Sequence, residues 1–209
     1  DTIPHLFYYN AFLILSNGTE AKVGTLGSKY EFFHEWKRLS EQEQGSVALE
    51  TMLRGICKKE NFLDLLENFI LFDHSGGHTA KILARNHQYL GVNEAIKAYE
   101  ARKLNNGKLG VFWHTQGSGK SYSMVFLAQK IRRKFSGSPT IVILTDRDEL
   151  NTQISDTFEN CGILGKAKAS QFIASSGDDL IDKLKGNPSF IFTLIQKFNK
   201  TDVEPIYPD

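Results

Sequence analysis

At 209 residues, with 41% hydrophobic and 23% charged side chains, the chain has the make-up of a globular protein that buries a substantial core. That balance excludes disordered, collagen-like and disulfide-scaffold classes. Lys and Arg number 25 against 24 Asp and Glu, a net charge of +1, so any polyanion has to be met by a local basic surface rather than by bulk charge.

Cys57 and Cys161 lie far apart and belong to no CxxC or Cys-His ligand spacing, so neither a zinc site nor a disulfide framework is expected, and a reducing cytoplasm fits. No apolar run approaches the roughly 20 residues that span a bilayer, and Asp1-Thr2-Ile3-Pro4-His5 lacks the basic and apolar regions of a signal peptide. No membrane is expected as a partner.

In chain order, an apolar run from Ala11 reaches Ser16-Asn17-Gly18 and is followed by Ala21, Val23 and Thr25 in alternation, the pattern of a strand-turn-strand hairpin. The stretch from Glu31 to Leu39 mixes aromatics with charge and is expected to present the solvated face of a helix. Val47, Leu49, Met52, Leu53 and Ile56, then Phe62, Leu63, Leu65, Leu66, Phe69 and Ile70, recur at helical spacing and predict two connecting helices. Gly76-Gly77 marks a break, a new unit is expected to begin near Lys81, and a helix is predicted over 88–101. Residues 109–114, 140–145 and 189–194 are short apolar runs, each followed by polar residues, as in parallel strands with crossover helices.

Between the run 109–114 and the helical pattern that starts at Tyr122 stands Thr115-Gln116-Gly117-Ser118-Gly119-Lys120-Ser121. A loop that wraps a di- or triphosphate needs glycines so that backbone N–H groups can close on the oxygens, a lysine for the β and γ charges, and a hydroxyl for Mg²⁺. Gly117, Gly119, Lys120 and Ser121 fill those roles. Where the general pattern has a first glycine, five positions before the last, this chain has His114.

Four motifs in order resemble one family: Arg85-Asn86-His87-Gln88, His114 to Ser121, Thr145-Asp146-Arg147 with Gln153, and Thr193 to Phe198. The chain is similar to the motor subunit of type I restriction-modification enzymes, a branch of the superfamily 2 helicases in which the His114 position is often histidine. The first 27 residues are similar to the segment that closes the family's nuclease domain. The resemblance implies an α/β fold: the last hairpin of a nuclease-like domain over 1–38, a helical connector over 39–80, and an incomplete RecA-like P-loop domain with a parallel sheet over 81–209.

It also implies ATP and Mg²⁺ as ligands, with Arg85, Gln88 and Thr115, Gln116, Gly117, Ser118, Gly119, Lys120 and Ser121 at the nucleotide, and Ser121 on the metal. Gln88 could meet the adenine edge with both ends of its amide; capping the helix start is the other use of Arg85 and Gln88. By the same resemblance Thr145, Arg147, Gln153, Thr193, Gln196 and Lys197 follow the backbone of double-stranded DNA. The plainer reading is that Asp146 caps a helix, Arg147 pairs with an acid and Thr193 precedes a simple turn. The strand 141–145 ending at Asp146 imitates a Walker B strand, but Thr145 interrupts the pattern and no second acid follows directly.

Glu35-Trp36-Lys37 imitates a nuclease Glu-x-Lys string, but no Asp on a preceding strand accompanies it. No strand-plus-acid pair for Mg²⁺ stands between Asn199 and Asp209. The chain is therefore expected to be part of an ATP-dependent DNA-translocating and DNA-cleaving subunit, inactive alone, whose partners are DNA and the methyltransferase and specificity subunits. Two other classes stay open: a non-catalytic nucleotide-binding module for assembly, and a P-loop ATPase or kinase unrelated to DNA.

Overall fold

The fold is that of a computed structural model, which describes residues 3–198. It is a mixed α/β chain in two compact units that divide between Lys130 and Ile131.

The first unit opens with a 3-10 turn at Pro4–Phe7 and the expected hairpin, β1 (Leu13–Ser16) antiparallel to β2 (Ala21–Gly24), in register Leu13 to Gly24 and Ser16 to Ala21. Its turn is built locally. Gly18 takes φ +94°, and Asn17 Oδ1 accepts from the amides of Thr19 (3.0 Å) and Glu20 (2.8 Å). The stretch after it is not the predicted helix. His34 pairs with Val23 through both backbone bonds (2.8 and 2.9 Å), and Trp36 turns into the core. An extended backbone lets Trp36 go in while Glu35 and Lys37 stay outside and pair with each other at 2.8 Å.

Helices α1 (Leu49–Ile56) and α2 (Lys59–Asn68) follow as expected, but α2 stops before Phe69 and Ile70. Those two residues continue the apolar periodicity, yet Ile70 starts β3 (Ile70–Asp73), antiparallel to β4 (Ala80–Leu83) across the Gly76-Gly77 turn. Next come α3 (Asn86–Glu100) and α4 (Lys120–Lys134). Asn86, the first residue of α3, holds the backbone at Lys37 and Arg38 through three hydrogen bonds of 2.9–3.2 Å.

The core of this unit runs from Trp36 through Tyr89 and Phe69 to Phe126, with successive ring centroids 5.3, 4.8 and 5.6 Å apart. A buried ion pair lies beside it. Lys130 Nζ donates to both Asp64 oxygens (2.5 and 2.6 Å) and to Asn93 Oδ1 (2.6 Å), joining α4, α2 and α3.

In the second unit β5 (Ile141–Thr145) and β6 (Phe190–Leu194) form a parallel pair, with α5 (Asp148–Asn160) and α6 (Gly177–Lys185) in the crossover. Phe190, Ile191 and Phe192 are fully buried, as in a strand covered on both faces. Phe158 of α5 meets the rings of Phe190 and Phe192 edge-on at 5.5 and 5.3 Å.

The first of the three apolar runs, 109–114, forms no strand pairing among the described residues. Gly110 takes φ +113°, which breaks the extended run, and Val111 and Trp113 are 94% and 84% exposed.

Candidate functional site

The phosphate-type loop joins the arm 109–114 to the first turn of α4, and the first two turns of α3 form its floor. Gly117 and Gly119 take φ +76° and +85°, a region where a Cβ is strained. At Gly119 there is also no room, since a Cβ there would stand 2.8 Å from Gln88 Nε2. The loop glycines are therefore demanded by backbone shape. The 15-residue α4 has no acidic residue in its first turn, so the positive end of its dipole faces the loop unopposed.

Within the loop Lys120 Nζ donates to the carbonyls of His114 (2.5 Å) and Thr115 (2.7 Å). Ser118 Oγ is buried and, among the described residues, has no hydrogen-bond partner. Ser121 lies half-buried in the first turn of α4, and Thr115 and Gln116 are exposed on the loop's outer side. Positive-φ glycines, an orphaned hydroxyl, a lysine parked on its own loop and an unopposed helix dipole form a set that fits a polyphosphate with its Mg²⁺.

Gln88 is almost wholly buried, and both ends of its amide are engaged by protein. Oε1 accepts from Arg85 N at 2.8 Å, and Nε2 donates to Gly119 O at 2.9 Å. It therefore closes a capping box on α3 and at the same time holds the loop. His87, which the sequence reading left without a role, donates from Nε2 to Ser118 O at 3.1 Å, and its ring lies 4.7 Å from that of His114.

Burial lowers the pKa of both imidazoles. The neighbouring Arg85 deepens the effect at His87, and Lys120 does so at His114, where Glu41 opposes it. Asp73, also unanticipated, accepts a short hydrogen bond from Tyr122 Oη just beyond Ser121. Burial pushes that carboxyl up, but the bonds from Tyr122 and Ser75 outweigh it and hold it below the usual range. His87 stands inside the motif Arg85–Gln88 but without a role of its own there, and Asp73 stands in none; their partners lie 31 and 49 residues away in sequence.

In the second unit the carboxyl ends of β5 and β6 bring together Thr145, Arg147, Thr193 and Gln196. Thr145 Oγ1 stands 3.4 Å from Asn151 Oδ1 and 3.5 Å from Thr193 O, and Gln196 Nε2 donates to Asp146 O at 3.0 Å. Thr145 and Thr193 are buried, whereas Arg147 and Gln153 are exposed. Lys197 turns back to donate to Ala174 O. Asp146 does not cap α5, whose N-cap position is Arg147 with no side-chain cap; the two pair instead at 3.4 Å on the surface.

Among the described residues no three His, Cys, Asp or Glu side chains gather into a metal cluster, and no helix is long and apolar enough to cross a membrane. The tail 199–209, read as lacking a metal-binding acid pair, lies outside the described residues.

The family model of the SWI2/SNF2 ATPase matches residues 87–208, which include the loop and both strands of the parallel pair. The HindI type I restriction enzyme endonuclease subunit of Haemophilus influenzae is 37% identical over the whole chain. A putative type I restriction enzyme endonuclease subunit of Methanocaldococcus jannaschii, MjaIXP, is 30% identical over 99% of it. The SsaAORF53P endonuclease subunit of Staphylococcus saprophyticus is 24% identical over 93%. The chain spans about one-fifth of the length of these relatives.

Proposed function

Because the chain belongs to the SWI2/SNF2 ATPase family and its relatives are type I restriction endonuclease subunits, we propose that it is the nucleotide-binding part of such a subunit. The parent protein hydrolyses ATP to draw double-stranded DNA past itself and cuts it, in the cytoplasm, assembled with methyltransferase and specificity subunits. In this reading residues 1–38 close a nuclease domain, 39–80 connect, and 81–209 begin the first RecA-like motor domain. These residues alone hold nucleotide without turning it over.

The observation that carries the reading is the loop with Lys120 bonded to its own carbonyls, on the N-terminus of a helix free of acidic residues. Lys120 leaves the carbonyls of His114 and Thr115 for the β and γ phosphates. Backbone N–H groups from Gly117 to Ser121 close on the same oxygens, and the Ser121 hydroxyl supplies a metal ligand. Bound ATP·Mg²⁺ provides the scissile anhydride and the cation that spreads the charge of phosphoryl transfer. Gln88 and Arg85 select adenine at the edge of the loop, Gln88 by giving up one of its two present bonds. Along the DNA backbone Arg147, Gln153, Gln196 and Lys197 make the contacts, and the buried Thr145 and Thr193 set the shape of the turns that present them.

The test is ATP turnover by the full-length subunit with its partner subunits, with and without double-stranded DNA, for the wild type and Lys120→Ala. DNA-stimulated turnover that disappears in the variant is expected. Turnover at wild-type rate in Lys120→Ala would refute the proposal.

A further inference from the structure

The arm that enters the phosphate loop is seated on one face of α3, and the loop's later residues are held by the same helix. His87 and Gly91 stand one turn apart on α3 and so share a face. Phe112 and His114 alternate along the arm and so point to one side. The two pairs meet. A Cβ on Gly91 would lie 2.1 Å from Phe112 Cε2, which means that the Phe112 ring occupies the notch left by the missing side chain. His114 lies against His87 at 4.7 Å and against Phe112 at 4.4 Å. From the same turn of α3, His87 holds Ser118 O and Gln88 holds Gly119 O.

We propose that His87 and Gly91 are positioning residues for nucleotide binding: with Phe112 and His114 they form an aromatic seat that fixes the phosphate loop in its receptive shape before the nucleotide arrives. The inference rests on the reading of this loop as an ATP site. Neither residue touches the phosphates. The imidazole supplies a donor to a carbonyl that no side chain of the loop itself satisfies, and the glycine supplies the space that lets the arm lie flat. Ordering a glycine-bearing loop ahead of binding removes a conformational cost that would otherwise be met when the ligand binds. At saturating nucleotide the phosphates hold the loop themselves, so the seat bears on KM rather than on kcat.

That split gives the test, made on the full-length subunit with its partner subunits and DNA. In His87→Phe the ring stays and the donor is lost, and KM for ATP rises about tenfold while kcat changes by less than about twofold, the signature of an interaction lost equally in ground and transition states. His87→Gln restores an amide donor at the reach of Nε2 and returns KM to within about twofold of wild type. Gly91→Ala improves helix propensity, yet it fills the notch and reproduces the raised KM without a lower melting temperature. An unchanged KM in folded His87→Phe, failure of His87→Gln to rescue, or an unchanged KM in Gly91→Ala would each overturn the seat. Lys120→Ala in the same assay separates the two claims: if it is dead while His87→Phe behaves as wild type, the seat is wrong and the ATP site stands; if it is active, the ATP site is wrong.

Discussion

His34 shows how a single side chain can tie this fold to pH. Its backbone completes the pairing with Val23, which carries the imidazole inward, where among the described residues neither ring nitrogen has a well-placed hydrogen-bond partner and the backbone of Glu35 and Leu83 offers only weak support to the charged ring. Burial, reinforced by the nearby Arg85 guanidinium, lowers its pKa from 6.5 to about 4. The folded state therefore resists a proton that the unfolded chain accepts, so stability is complete above about pH 6.5 and falls as the pH drops toward 4. The full loss is about 3 kcal/mol. Urea midpoints measured from pH 7.5 down to pH 4.5 should decline more steeply for the wild type than for His34→Leu, and parallel slopes would show that His34 does not carry the effect. The lowered pKa values of His87 and His114 act in the same direction, which is why the comparison is with the variant rather than with an absolute slope. At this scale the sequence points to Lys120, Ser121 and the two loop glycines for the proposed nucleotide site, because that motif is written in chain neighbours. It could not name His87 or Asp73, whose partners lie many residues away.

Among the elements, α2, α3 and α4 are joined by Lys130 through a buried polar contact. The ammonium is buried and satisfied by Asp64 and Asn93, and it also lies 4.9 Å from the centroid of Phe69. Replacing it with Met keeps most of the volume but leaves Asp64 without its counter-charge in a largely dry setting. Loss of one partner of a buried pair costs about 3 kcal/mol. Lys130→Met should lower the urea midpoint accordingly, and the double variant Lys130→Met with Asp64→Leu should recover much of the loss. A midpoint within error of wild type for the single variant would mean that the pair contributes nothing. The first hairpin, α1, α2 and the parallel pair were legible because turn chemistry and apolar period are local signals. The end of α2 was not, since Phe69 and Ile70 extend the helical period while strand pairing with Leu83 takes Ile70. The arm 109–114 reads as a strand for the same reason: apolar composition does not say whether a partner strand or a helix face receives it.

For the whole molecule, a net charge of +1 gives no general attraction for DNA, so the proposed DNA contact rests on a few exposed groups at the ends of β5 and β6. Arg147 is the exposed cation there, paired with Asp146 only at the surface. In the full-length subunit Arg147→Ala should weaken DNA binding about equally for all sequences and reduce the slope of log affinity against log salt by about 1. An unchanged slope would remove Arg147 from the DNA path. The mixed α/β character and the parallel pair were readable from the order of apolar runs. The division of the chain after Lys130 was not, because it falls inside α4, where no glycine, proline or change of composition marks it.

Lys120, held by two carbonyls of its own loop, enters the proposed nucleotide site with its charge already engaged. An ammonium already engaged twice is drawn away only by a ligand with more negative charge than two peptide dipoles offer. Anionic phosphate oxygens exceed those dipoles, because a hydrogen bond from an ammonium to a charged acceptor is roughly twice as strong as one to a neutral carbonyl, and a di- or triphosphate presents such oxygens at two places at once. In the proposed nucleotide site the loop's own backbone is thus the competitor that an incoming phosphate has to displace from Lys120.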